Sequence, residues 1–174
     1  ILCTHSHPDH SPGAVPLQER TDAPVYGMPP PDDGYQDETY APDHGLCDGD
    51  LIQDGETRLR VLHTPGHASN HACLLLEASG LLFTGDHLMS GSTVVILPPD
   101  GSMRLYVESL RRLREMPIAD LAPGHGAAQP LPAGSWSGVP GAPVGSKAAF
   151  NNLPFTYGVV GRTAPAVAVV MRGR

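Results

Sequence analysis

The stretch Thr4-His5-Ser6-His7-Pro8-Asp9-His10 constrains this chain more than any other. It places three imidazoles and a carboxylate between His5 and His10. Neutral imidazole and carboxylate are natural ligands for zinc and similar divalent ions. His5 and His7 alternate, so in an extended segment they project to one side and can serve one ion. Asp9 and His10 follow a turn begun at Pro8 and can reach a second ion.

Three further pieces follow in order: Thr64-Pro65-Gly66-His67, Thr84-Gly85-Asp86 and Pro123-Gly124-His125-Gly126. With the opening His5-x-His7-x-Asp9-His10, they resemble the signature of the metallo-β-lactamase superfamily, from about Ile1 to Gly126. The resemblance implies that His5, His7 and His67 bind one metal and that Asp9, His10 and His125 bind a second, with Asp86 bridging both. The ions it implies are two Zn2+, with Fe or Mn as alternatives. Held about 3.5–4 Å apart, such ions share and acidify a water that attacks a carbonyl or phosphoryl centre. Asp9 is also the catalytic residue expected to orient that attack. The implied fold is α/β, a four-layer αββα sandwich. Several strands precede the first histidines in the family, so the sandwich is expected to be incomplete at its N-terminus and the chain to be part of a larger protein.

The full ligand set resembles the glyoxalase II, ribonuclease Z and lactonase branches. Thr64 to His71, taken with Ser90-Gly91-Ser92-Thr93-Val94-Val95, is most similar to the β-lactamase-like protein 2 group. The resemblance implies hydrolysis of an ester, thioester or related small molecule. The alternatives are a phosphodiesterase acting on single-stranded RNA and an inactive remnant that binds metal. Rival chemistries lack their signals: there is no G-x-S-x-G elbow, H-E-x-x-H, phosphate loop or G-x-G-x-x-G.

Charge bears on the choice of partner. The net charge is −7 and the pI about 5.6, whereas a general nucleic-acid or membrane-surface binder carries a basic footprint. A small-molecule substrate is therefore favoured over RNA, and no membrane association is expected; the oligomeric state is not legible. The three cysteines, Cys3, Cys47 and Cys73, form no C-x-x-C pair, and no signal peptide opens the chain, so a reduced, cytoplasmic setting is the expectation.

Along the chain, Ile1 to Thr4 reads as the end of a buried strand that delivers the histidine loop. A helix is expected up to Arg20, with Ala14, Val15 and Leu17 buried, then a short strand over Ala23 to Tyr26. Met28 to Gly45 is acidic and loop-like; it either overhangs the site or, as is usual for such loops, is just solvated. A hairpin is expected around Asp54-Gly55, joining Leu51–Gln53 to Thr57–His63. Ala72–Leu76 and Leu81–Thr84 are continuously apolar, which predicts strands buried on both faces. Met103 to Met116 reads as a helix with Tyr106, Leu110 and Leu113 on one face and arginines mostly on another. A last strand runs over Ile118 to Ala122.

The remaining histidines carry weaker expectations. His44 should be exposed, and His63 packed or hydrogen-bonded. His71 and His87 stand close to ligands and could orient one or touch substrate. The domain is expected to cover residues 1–129. Residues 130–174 form a Gly/Pro/Ala-rich tail, without Asp, Glu or His from Leu131 on, that reads as disordered or atypical.

Overall fold

Two apolar runs set the architecture, and both become strands at the centre of one sheet. The structure, a computed structural model, describes residues 1–131 and the backbone of Thr156–Val159 and Val167–Val170. In chain order the first part holds α1 (Ala14–Thr21), β1 (Tyr26–Gly27), β2 (His44–Gly45), β3 (Leu51–Asp54), β4 (Thr57–His63), β5 (Ala72–Leu76), β6 (Leu81–Gly85), α2 (Met103–Arg114), β7 (Asp120–Pro123) and β8 (Gln129–Pro130). β9 (Thr156–Val159) and β10 (Val167–Val170) pair antiparallel. The expectation of a disordered tail otherwise falls, beyond Leu131, outside the described residues.

β3 to β8 form a six-stranded sheet in sequence order. All neighbours are antiparallel except β6 and β7, which run parallel and are joined by α2. That crossover is what a parallel pair requires. The expected hairpin around Asp54-Gly55 is present, with Asp54 opposite Thr57.

β5 shows why its sequence is apolar throughout. Ala72, Leu74 and Leu76 join a cluster with Leu59, Val61, Leu81, Phe83 and Leu2. Cys73 and Leu75, on the other face, join Leu62, Leu82, Leu121 and Leu113 of α2. A third cluster sets Ala14 of α1 against Ile1, Cys3, Val25 and Tyr40. The layers are therefore α2, the six-stranded sheet, a thin second layer of Leu2 with β1 and β2, and α1. This is the expected αββα order. The second sheet is short among the described residues: β1 and β2 pair in parallel, and Leu2 bridges Tyr26.

The residues expected to be buried on α1 are corrected in one place. Ala14 is buried and Leu17 packs against the third cluster, but Val15 is 36% exposed. Ala14 and Leu17 are three apart and share the helix face turned to Val25; Val15 is rotated about 100° away from Ala14. β7 also begins later than expected, at Asp120.

Candidate metal centre

The sheet's strand directions explain why four separate sequence pieces meet. β4 and β6 both run antiparallel to β5, and β7 runs parallel to β6. The C-terminal ends of β4, β6 and β7 therefore lie at one end of the sheet. His67 follows β4, Asp86 follows β6 and His125 follows β7. The first motif arrives beside them because the Ala72 amide at the start of β5 donates to the Thr4 carbonyl at 2.7 Å.

All seven expected ligand residues converge there. His5, His7 and His67 form one group, and Asp9, His10, Asp86 and His125 another, each compact enough to hold a metal ion. Asp86 stands between them. Its Oδ1 is 3.2 Å from His10 Nε2, and its Oδ2 is 3.4 Å from His125 Nε2 and 3.8 Å from His67 Nε2. Asp9 Oδ2 is 3.3 Å from His125 Nε2, and its side chain remains half exposed.

Three of the donors, His5, His7 and Asp86, are in the state a cation needs. Burial lowers His5 well below its ordinary pKa, and the neighbouring His10, His71, His7 and His67 lower it further. His7 is lowered by burial and by His67. Both imidazoles are thus neutral near pH 7, with a lone pair to offer. For Asp86, burial alone would push the carboxyl up. The close approach of His10, with His125 and His67 beside it, outweighs that and holds the group below its ordinary value, ionised.

Fit to a metal is supported by atoms left idle. His5 Nε2, His10 Nε2 and Asp86 Oδ1 are buried without a hydrogen-bonding partner. His10 and Asp86 are close but not aligned as a hydrogen bond. Each idle buried polar atom costs on the order of 1–3 kcal/mol, a large share of the 5–15 kcal/mol that stabilises a typical domain. Bound cations would satisfy all three. No ion of ordinary protein chemistry other than a metal suits three imidazoles on one side and two carboxylates with two imidazoles on the other.

Several residues orient the donors. His67 Nδ1 lies 2.6 Å from the Val95 carbonyl, so Nδ1 carries the proton and Nε2 keeps the lone pair. The His67 turn is seated on α2: Ser102 N–H donates to the Gly66 carbonyl at 2.7 Å and Ser109 Oγ to the Pro65 carbonyl at 2.8 Å. His71 is fully buried; its Nε2 accepts the Asp86 amide at 3.1 Å and its Nδ1 donates to Thr64 Oγ1 at 2.8 Å. Of its two expected roles it takes the orienting one. His87 is equally buried, packed between His71 and Tyr106, and its two ring nitrogens have no partner. Burial pushes its pKa down to about 4, so it is neutral. His63 Nε2 bonds the Ser69 carbonyl, and His44 is exposed and stacks on Tyr26, as its strand position allows.

Two glycines are required by space. Gly85 has φ +47°, and a Cβ there would meet His71 Nε2 at 2.6 Å and Thr4 at 2.8 Å. At Gly124 a Cβ would fall 2.7 Å from Asp86 Oδ1 and 2.9 Å from His10. Close backbone approach to the donors is possible only without side chains there.

The acidic loop is not merely solvated, contrary to its composition. Ser6 Oγ donates to Gln36 Oε1 at 2.6 Å, Ser11 Oγ to Asp37 Oδ2 at 2.7 Å, and the Asp37 amide to the Ser6 carbonyl at 2.8 Å. The loop thus clamps the histidine motif from outside. Three of the four arginines of α2 are paired, which leaves little free basic face: Arg104 with Glu108, Arg112 with Asp48, and Arg114 with Glu115.

Known proteins match this arrangement. Residues 1–125 match the family described as the metallo-beta-lactamase superfamily, whose members bind divalent metals. An atrochrysone carboxyl ACP thioesterase of Paecilomyces divaricatus is 34% identical over 75% of this chain and 38% of its own length. A hydroxyacylglutathione hydrolase of Cereibacter sphaeroides is 36% identical over 70% of this chain and 45% of its own. The chain thus spans less than half the length of these relatives. Among solved structures, TTHA1623 in a di-iron-bound form is 27% identical with a TM-score of 0.64, covering 79% of this chain and 75% of that one. ETHE1 from Myxococcus xanthus is 28% identical with a TM-score of 0.60, covering 86% and 65%.

Proposed function

Since the chain belongs to the metallo-β-lactamase superfamily, we propose that it is a binuclear metal-dependent hydrolase of ester and thioester bonds in small molecules. The carrying observation is Asp86, whose two oxygens lie within 3.8 Å of imidazoles from both donor groups. A carboxylate so placed suits a bridge between two ions. In this reading His5, His7 and His67 hold the first ion, Asp9, His10 and His125 the second, and Asp86 both. Zinc is favoured by the nitrogen-rich donors; the di-iron form of TTHA1623 makes iron the leading alternative.

When bound, the ions supply a Lewis acid for the substrate oxygen and lower the pKa of a shared water toward neutrality. The chain's own residues do the rest. Asp9, half exposed at the rim, accepts a hydrogen bond from the attacking water and sets its direction. Val95 and His71 fix His67 and Asp86 so that the donors do not reorganise during the reaction. The thioesterase and hydroxyacylglutathione hydrolase relatives support thioesters as the substrate class. Three free cysteines support a reducing, cytoplasmic setting. No helix among the described residues is long and apolar enough to cross a membrane.

Metal-loaded protein assayed on thioesters, lactones and a single-stranded RNA oligomer tests the reading. Thioester turnover abolished by chelation and restored by zinc is the expected result. Cleavage of RNA alone, or bound metal with no turnover of any of the three, would replace it with one of the two alternatives.

A further inference from the structure

Among the described residues, six large hydrophobic side chains are exposed, and three of them, Leu97 (68%), Tyr35 (64%) and Val95 (53%), gather around one cleft. Single exposed apolar residues need no explanation, but a cluster beside a candidate reaction centre marks a ligand surface. The cleft measures about 300 Å³, and His7 and His67 are part of its lining. Pro98 and Pro99 extend the apolar wall, and Asp100 is its one carboxylate.

The wall is tied to the donors. The carbonyl of Val95 holds His67, the Gly101 amide donates to the Leu97 carbonyl at 2.7 Å, and Asp100 Oδ1 accepts the Ser69 amide at 3.0 Å. The apolar surface is therefore tied to His67 by the hydrogen bond that orients the ring, and the other two brace the wall.

Resting on the thioester reading above, we propose that this cleft receives the acyl arm of the substrate and selects an uncharged, apolar acyl group. In thioester hydrolysis the water oxygen bonds to the acyl carbon and the carbon–sulfur bond breaks; the departing sulfur carries the developing negative charge until it takes up the proton that the water gives up. The Asp100 carboxylate repels that charge, so the thiol arm lies away from the cleft and the acyl arm lies in it. The same carboxylate disfavours an acyl group ending in an acid. Leu97, Val95 and Tyr35 gain from each methylene they cover.

The test compares acetyl, butanoyl, hexanoyl and succinyl thioesters of one thiol, N-acetylcysteamine, on the metal-loaded chain. In parallel, calorimetry measures binding of the matching ketones, in which a methylene replaces the sulfur. Burying one methylene is worth up to about fourfold, so each two-carbon extension should raise kcat/KM and ketone affinity about tenfold. Succinyl should fall well below butanoyl in both series. Leu97→Asp should flatten the chain-length dependence, whereas Met103→Asp, at an exposed position outside the cleft, should leave it intact. Flat dependence in the unaltered protein, or a preference for succinyl, would overturn the proposal. If no thioester is hydrolysed, the hydrolase reading fails, and the ketone series still decides whether the cleft binds apolar chains.

Discussion

Asp86 carries more of the site than any other residue, because its carboxylate is buried between imidazoles of both groups. In the proposed binuclear reading, replacing it by alanine would leave two cations without the anion between them. Asp86→Ala should lower kcat/KM by at least about 100-fold, more than the loss typical of residues that merely orient a ligand. His44→Ala, at an exposed position, should stay within about twofold, in line with ordinary surface substitutions. Steady-state kinetics on one thioester compares the two. The cysteines give a second residue-scale prediction. Burial pushes the Cys3 and Cys73 thiols up to about 12, so neither forms thiolate near pH 8, while Cys47 is exposed. Iodoacetamide at pH 8 followed by mass spectrometry should find Cys47 alone modified in the folded chain; labelling of Cys73 under native conditions would mean that the central sheet opens. Spacing alone singled out His5, His7, Asp9 and His10; His67, Asp86 and His125 were legible only through the resemblance of the four ordered motifs to the family signature. The orienting groups were not legible. The Val95 carbonyl belongs to a backbone atom that every residue carries, and the choice between roles for His71 depends on an amide brought to it by strand pairing.

At the scale of elements, continuous apolarity identified β5 and β6, since only strands covered on both faces need it. Leu82, fully buried between β5 and β7, is a fair probe of that packing. Leu82→Ala should cost about 2–5 kcal/mol by denaturant unfolding. Val15→Ala should change stability by no more than about 0.5 kcal/mol. Composition misled at the acidic loop, because its contacts run through Gln36 and Asp37 to the hydroxyls of Ser6 and Ser11, which no periodicity records. Asp48 joins three elements: it accepts from the His63 amide at the end of β4 and from Arg112 of α2, just ahead of β3. Burial opposes its ionisation, yet these donors win and hold its carboxyl below the ordinary value. A group lowered in the folded state stabilises above its unfolded pKa and loses that contribution as pH falls through the folded one. Asp48→Asn should therefore destabilise at neutral pH by less than about 1 kcal/mol, as expected for an exposed pair. It should also flatten the acid limb of the stability curve below about pH 4. Unfolding midpoints at pH 3 and pH 7 check both the sign and the window.

For the whole molecule, layering follows from three apolar clusters, and the site follows from strand direction: C-terminal ends of β4, β6 and β7 at one end of the sheet, with the histidine motif fastened to β5. Cations that bind only this assembled arrangement stabilise it by mass action, so chelation should lower the thermal midpoint of the unaltered chain more than that of Asp86→Ala. If both donor groups are filled together across Asp86, metal stoichiometry should show it. Elemental analysis of the chain after gel filtration in metal-free buffer should find about two zinc-class ions per chain. The same measurement on Asp86→Ala should find at most one. A single tightly held ion in the unaltered protein, or two ions indifferent to the loss of Asp86, would rule out a shared centre bridged by Asp86.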